Sequence, residues 1–336
     1  MTPRKKIHRK KQKFMTKKII TIGNAIVDIL CKVDDQFLLD NNLIKGSMSL
    51  IDEDTAKKLS ELKAEKIDSG GSAGNTISTM AQLGDKAAFI GKVGHDEFGQ
   101  KFITQIEKSG VQFIGKNSYD KLSAKSFVLV TPDAQRTMCT FLGCACEIDA
   151  DFINEKQFAD STHLYLEGYL WDRKETILTL KKSIEVAKKN HLKIAFSLSD
   201  AFCVSRHKED FLSLIANDLD VLFANEIEAL ELTGQKEFSL QNLNNFFAKH
   251  RKLTAIVTRS DKGCVIFKDG KFLEISTESV TKVLDTTGAG DAFAAGFLHG
   301  LMNSFDLEKS AQLGNKLAGK IIQKFGARFS NGEINL

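Results

Sequence analysis

Residues 285–291 read Asp285-Thr286-Thr287-Gly288-Ala289-Gly290-Asp291 and run directly into Ala292-Phe293-Ala294-Ala295-Gly296-Phe297-Leu298. Phe293, Phe297 and Leu301 recur at a spacing of four with alanine filling the gaps, which predicts a helix opened by a glycine-rich turn. Gly288 to Gly290 then lie at a helix N-terminus. There the unpaired N–H groups and the positive end of the dipole attract an anion, and the missing Cβ atoms let it come close. Asp291 is a carboxylate set among groups that otherwise gather negative charge. It can take a proton from an alcohol while the N–H groups stabilise a transferring phosphoryl group, or it can be a first-turn acid that complements the dipole. The residues alone leave both readings open. A dinucleotide fingerprint would need glycine at Phe293, and no Walker A run with Lys and Ser or Thr occurs.

Working outward, Ile19-Ile20-Thr21-Ile22-Gly23 reads as a buried strand followed by Asn24 and Asp28. Polar groups just past a strand's C-terminal end are where open α/β sheets bind ligands. Asp28 is either an acceptor for two sugar hydroxyls or a turn residue capping local backbone. Asp68-Ser69-Gly70-Gly71-Ser72-Ala73-Gly74-Asn75 precedes a helical run from Ile77 to Leu83, and Ser72 and Asn75 offer hydrogen bonds to a polyhydroxyl ligand. His95-Asp96-Glu97 reads as a cap with first-turn acids, since adjacent residues do not share a helical face as metal ligands would. Residues 126–131 and 136–141 flank a turn as a hairpin. The broken pattern from Cys31 to Asp52 predicts strands and a short helix outside the main sheet.

Beyond residue 160 strands and helices alternate: His163–Glu167, helix 175–189, Lys193–Leu198, helix 208–216, Val221–Ala224, then Thr254–Thr258, a hairpin closing at Asp269-Gly270, and a final helix from Leu307 to Phe325. That alternation predicts a parallel sheet covered on both faces. Tyr165, Tyr169 and Trp171 read as core. Phe202 follows a strand end, where an exposed aromatic suits stacking. Asn225 and Glu228 also follow a strand end; they are either magnesium ligands acting through water or an N-cap with its capping-box partner.

The chain has 336 residues, 27% of them charged, and only two prolines, an ordinary globular composition. Nine of its 47 basic residues fall in residues 1–18, which carry no acid, leaving a formal charge of −5 on the rest. We read 1–16 as a basic disordered tail and 17–336 as one domain, with no basic face for nucleic acid and no apolar run for a membrane or signal peptide. A cytoplasmic location follows. The six cysteines are too few and irregular for a disulfide framework, so buried, reduced thiols are expected.

The run DTTGAGDAF, with GNAIVDIL, GGSAGN and NEIE ahead of it in order, resembles the signatures of the ribokinase-like (PfkB) family of carbohydrate and nucleoside kinases. Asn24 with Asp28, Gly70-Gly71-Ser72 with Asn75, and Ser197-Leu198-Ser199 with Phe202 are similar to the pattern of its adenosine kinase branch. The resemblance implies a doubly wound, mostly parallel α/β sheet with a small β lid, which we place at about 31–52 and 121–143. It implies ATP-dependent phosphorylation of a nucleoside 5′-hydroxyl, adenosine giving AMP, with ribose, a hexose, inosine or guanosine as alternative acceptors. Asp291 would be the base, and Gly288, Ala289 and Gly290 the anion hole. Asp28, Gly70, Gly71, Ser72 and Asn75 would hold the sugar, and Asn24 and Phe202 would border the base. Asn225 and Glu228 would serve magnesium and phosphate, and Arg136 would be a lid arginine near the transferred phosphate. Thr258 and Gly263 would hold the nucleotide, although Arg259 stands where many members carry glycine. Asp285 and Thr287 would bind a monovalent cation such as K+. ATP and Mg2+ are the implied cofactors, and a monomer or homodimer the implied assembly.

Overall fold

The computed structural model describes residues 17–133 and 135–334; the basic segment 1–16 lies outside the described residues. In chain order the strands are β1 (Lys18–Ile22), β2 (Ile26–Lys32), β3 (Met48–Leu50), β4 (Ala64–Ser69), β5 (Lys86–Gly94), β6 (Val111–Ser118), β7 (Ala124–Val130), β8 (Arg136–Phe141), β9 (Ser161–Glu167), β10 (Lys193–Ser197), β11 (Val221–Asn225), β12 (Thr254–Thr258), β13 (Cys264–Lys268) and β14 (Lys271–Ile275). The helices are α1 (Asp35–Asp40), α2 (Glu53–Leu59), α3 (Ser72–Gln82), α4 (Glu97–Lys108), α5 (Lys174–Lys189), α6 (Ala201–Asn217), α7 (Glu226–Thr233), α8 (Leu240–Phe247), α9 (Ala289–Met302) and α10 (Leu307–Ile321).

Nine strands form one sheet in the order β14-β13-β12-β11-β10-β9-β1-β5-β6. Pairing is parallel from β12 through to β6, and β13 and β14 add an antiparallel edge. Side chains alternate across it. Ile19 and Ile256 enter one core with Met80, Phe102 and Phe297 from α3, α4 and α9. Ile20, Ile22, Ala255 and Val257 enter the other with Leu180, Phe211, Leu232 and Leu243 from α5 to α8. A strand apolar on both faces is the signature of a sheet sandwiched between helices. The expected doubly wound α/β fold is therefore the one formed.

A second sheet has the order β3-β8-β7-β2-β4. Val27, Ile29, Phe127, Leu129 and Cys139 turn one face onto the core shared with α3 and α4. The residues between them in sequence, Ile26, Asp28, Ser126, Met138 and Thr140, line a cleft. This sheet starts at Ile26 and takes in β4, so it reaches beyond the segments 31–52 and 121–143. The reason is physical: β2 carries Asp28 in mid-strand, and Ala-Glu-Lys-Ile-Asp-Ser in β4 has one β-branched residue and owes its extension to antiparallel pairing with β2.

Several boundaries also differ from expectation. Helix α3 begins at Ser72, inside the predicted turn, and α6 begins at Ala201, seven residues ahead of the predicted helix, with a kink at His207 (φ −123, ψ 21). Helix α10 stops at Ile321, short of Phe325. The hairpin is present with Val130 opposite Arg136. All six cysteines are unpaired and buried. No helix among the described residues is long and apolar enough to cross a membrane.

The sole tryptophan, Trp171, is buried edge to face against Phe196 (5.4 Å) and Phe211 (5.7 Å). Phe211→Ala is expected to lower the unfolding free energy by about 3–5 kcal/mol. Denaturant titration followed by Trp171 fluorescence measures this directly; an unchanged midpoint would contradict the packing.

Candidate active site

Seven of the α-helices are capped by an Asp, Asn or Ser side chain that accepts a bond from the first turn. Helices α3, α5 and α9 are not, and in α3 and α9 the N-cap is a glycine at positive φ, Gly71 and Gly288. Gly288 (φ +78) is required twice over, because a Cβ there would also lie 2.6 Å from the Ala327 Cβ. Around Gly290 the space is open, with nothing within 4 Å of a notional Cβ. Both helix ends open onto the same place, the cleft between the two sheets. Apart from the Ala73 N–H, which a buried glutamate accepts, the first-turn N–H groups there take no protein side chain.

Asp291, the third residue of α9, joins the two ends. Ser72 Oγ donates to one of its oxygens (2.7 Å) and Asn75 Nδ2 to the other (2.9 Å). Burial holds its carboxyl above the ordinary carboxylate range, while those two bonds and the charge of Arg328 act in the opposite sense. Facing it on β2 is Asp28, which burial pushes up to about 7; Arg328 opposes the shift, and Asp68 and Asp291 add to it. The close turn is possible because residue 70 has no side chain: a Cβ at Gly70 would meet an Asp28 carboxylate oxygen at 2.2 Å.

Glu167, at the end of β9, is a third carboxylate in the cleft and was not singled out in the sequence. It is buried, and it accepts the N–H groups of Asn24 (3.2 Å) and Ala73 (2.6 Å), tying β1 and α3 together. Burial lifts its carboxyl to about 7 against the pull of those two bonds. The strand-end rule that pointed to Asn24 applies equally to Glu167. Asn24 Oδ1 is itself buried with no partner among the described residues, although Asn24 lines the cleft, which suits a donor on a bound molecule.

The cleft has a volume of about 960 Å³. Its wall on the second sheet is mostly apolar, from Ile26, Met48, Leu50, Met138 and Leu142. Opposite them stand Tyr169, half-buried and so not the core residue its sequence suggested, and Phe202, which is 78% exposed on the first turn of α6. The C-terminal ends of β10, β11 and β12 contribute Ser197, Asn225 and Thr258.

Other candidates lie elsewhere or are already engaged. Asn225 and Glu228 form a complete capping box: Asn225 Oδ1 accepts the Glu228 N–H (2.8 Å), Glu228 Oε2 accepts the Asn225 N–H (2.9 Å), and Asn225 Nδ2 donates to Glu228 Oε1 (2.7 Å). Both line the cleft, so the lone pairs left on Glu228 suit a metal held through water; no cluster of three acids, histidines or cysteines able to hold one directly occurs among the described residues. Gly263 (φ +78) does not line the cleft; a Cβ there would strike the Ile275 carbonyl at 2.0 Å. Arg136 is drawn to Asp285 in an ion pair and stands outside the cleft lining. Asp285 also accepts Thr287 N–H (2.9 Å) and Gly326 N–H (2.7 Å). Three donors, one a guanidinium, therefore converge on this buried carboxylate, which the resemblance assigned to K+.

The family model described as pfkB family carbohydrate kinase matches residues 41–334. Among curated proteins the chain is similar to adenosine kinase of Saccharomyces cerevisiae, 26% identical over 342 residues, covering 96% of this chain and 99% of that one. It is also similar to 5-dehydro-2-deoxygluconokinase of Bacillus licheniformis, 27% identical over 268 residues, covering 76% and 81%. Among solved structures it is similar to a probable sugar kinase from Rhizobium etli (38% identity, TM-score 0.85, covering 93% of this chain and 95% of that one). Adenosine kinase from Sinorhizobium meliloti gives 37% identity and a TM-score of 0.84, covering 93% and 96%.

Asp28 binds its proton more tightly folded than unfolded, with values of about 7 against 3.8. Its contribution to stability is therefore lost as pH rises between those values. Asp28→Asn is expected to raise the unfolding free energy at pH 8 by roughly 1–3 kcal/mol and to leave it nearly unchanged at pH 4. Denaturant melts at the two pH values check this; an equal effect at both would contradict it.

Proposed function

The chain belongs to the pfkB family of carbohydrate kinases, and from that premise we propose that it transfers the γ-phosphoryl group of ATP to the 5′-hydroxyl of a nucleoside, adenosine giving AMP. One observation carries the reading: Asp291 stands where two uncapped helix N-termini meet, bonded to Ser72 and Asn75 and facing Asp28 across the cleft. Kinases of this family use ATP with magnesium.

In this reading Asp28 and the Gly70–Asn75 turn hold the vicinal hydroxyls, since an ionised carboxylate accepts two hydroxyl hydrogen bonds at once. The acceptor's primary alcohol then lies beside Asp291. Its O–H bond breaks as its oxygen bonds to the γ-phosphorus, the proton passes to an Asp291 oxygen, and the bond from phosphorus to the ADP oxygen breaks. N–H groups of Gly288, Gly290 and Asp291 take up the charge on the phosphoryl oxygens with no reorganisation at the moment of transfer, while the Ala289 N–H is turned to the Thr286 carbonyl (3.2 Å). Magnesium, when bound with the nucleotide, neutralises phosphate charge; Asn225 and Glu228 stand at the strand ends where Thr258 also faces the cleft, and would hold it through water. A raised carboxyl suits the role of Asp291, because the proton it receives is held more firmly than by an exposed acid.

The apolar wall supports a nucleoside over a free sugar. Met48, Leu50, Met138 and Leu142 with Tyr169 and Phe202 offer flat, greasy surface for a ring, and a hexose would leave it wet. A second reading keeps the chemistry and changes the acceptor to ribose, a hexose, inosine or guanosine, as the similarity to sugar kinases allows.

Steady-state turnover over a panel of nucleosides and free sugars decides between them: kcat/KM is expected to be highest for adenosine, and ribose exceeding it would overturn the nucleoside reading. Asp291→Asn is expected to lower kcat by about 10²–10⁴-fold while ATP affinity, read by calorimetry, stays within a few-fold. Retained turnover in that variant would remove Asp291 from the chemistry.

A further inference from the structure

Arg328 lies beyond α10, far in sequence from every motif described above, yet it reaches under the site. Its Nε–H donates to Asn75 Oδ1 (2.9 Å), Nη2 donates to the Gly70 carbonyl (2.9 Å), and Nη1 donates to Ser69 Oγ. The segment that carries it is pinned on both sides. Gly326 N–H is held by Asp285, Ala327 packs against Gly288, and the Phe329 carbonyl accepts from Gln82 Nε2 (3.0 Å).

We propose that Arg328 is a positioning residue for Asp291: it fixes the orientation of Asn75 and sets a positive charge beneath the acid cluster. This rests on the reading of Asp291 as the base. The amide of Asn75 has two orientations, and only one serves. Arg328 has no acceptor, so the oxygen of Asn75 must face the guanidinium and its Nδ2–H₂ must face Asp291. Without that fork the amide is free to rotate its oxygen toward a carboxylate, which repels it. Charge adds to geometry. The groups whose fields act on Arg328 are Asp28 on β2, Asp68 on β4 and Asp291 on α9. Asp68 is also paired with Lys66 (2.6 Å). Arg328 pulls both Asp28 and Asp291 toward their ionised forms.

Wild type, Arg328→Gln, Arg328→Lys, Asn75→Ala and the Arg328→Gln/Asn75→Ala double variant make the test. Arg328→Gln is expected to lower kcat roughly 10- to 100-fold and to move the acid limb of the kcat profile up by about one pH unit. Arg328→Lys restores the limb, because the charge is kept, but leaves kcat low, because the fork is lost. In the Asn75→Ala background Arg328→Gln is expected to add little. Wild-type kcat with an unmoved limb in Arg328→Gln overturns the proposal; if that variant does not fold, full kcat in Arg328→Lys does so instead. Carbon-13 NMR titration of the Asp291 carboxyl needs no turnover and is expected to show a higher midpoint in Arg328→Gln; an unchanged midpoint also overturns it. If the wild type phosphorylates no acceptor, the kinase reading fails, and the NMR comparison still decides the role of Arg328.

Discussion

The structure is arranged around an electrostatic convergence. Two helix N-termini, those of α3 and α9, open at one place, and each lacks the N-cap side chain that most other helices of the chain keep. A capping side chain is worth about 1 kcal/mol to a helix. In α3 and α9 a glycine replaces that side chain, and both helix ends line the cleft. Asp291 is the one negative group of α9 placed inside that field, and its bonds to Ser72 and Asn75 hold the two helix ends in register.

Around this point the fold accumulates acids. Asp28, Glu167 and Asp291 come from three elements and all have raised carboxyl values, burial being the first cause in each case. Such crowding opposes folding at neutral pH, and the opposition is offset elsewhere: by the two continuous cores on either face of the large sheet, by the backbone bonds that Glu167 accepts, and by the single guanidinium of Arg328. Strain concentrated at a site and relieved in the scaffold is the usual division in an enzyme.

What could be read from the sequence was what is local. The α9 turn, the hairpin of β7 and β8, and the alternation of strands and helices after residue 160 all announce themselves within windows of a dozen residues, because periodicity and turn chemistry are short-range properties. Strand β4 gave no such signal, since its extension is imposed by its partner. The same divide runs through the site. Asp28, Asn75 and Asp291 stand in recognisable motifs, and the cleft brings them together. Arg136 and Asp285 form an ion pair across long sequence separation that neither local context foretells. Arg328 sits in an unremarkable Gly-Ala-Arg-Phe, and only the path of the chain after α10 gives it meaning.

Strand order carries a consequence for biosynthesis. β1 is an interior strand of the large sheet, flanked by β5 on one side and β9 on the other. Lys18 to Thr21 meet their β9 partners only around residues 161–165. On the ribosome, where domains emerge N-terminal first, this apolar ribbon waits with one flank unsatisfied while more than a third of the polypeptide is still being made. Until β9 emerges, that apolar flank stays open to unwanted pairing with other strands.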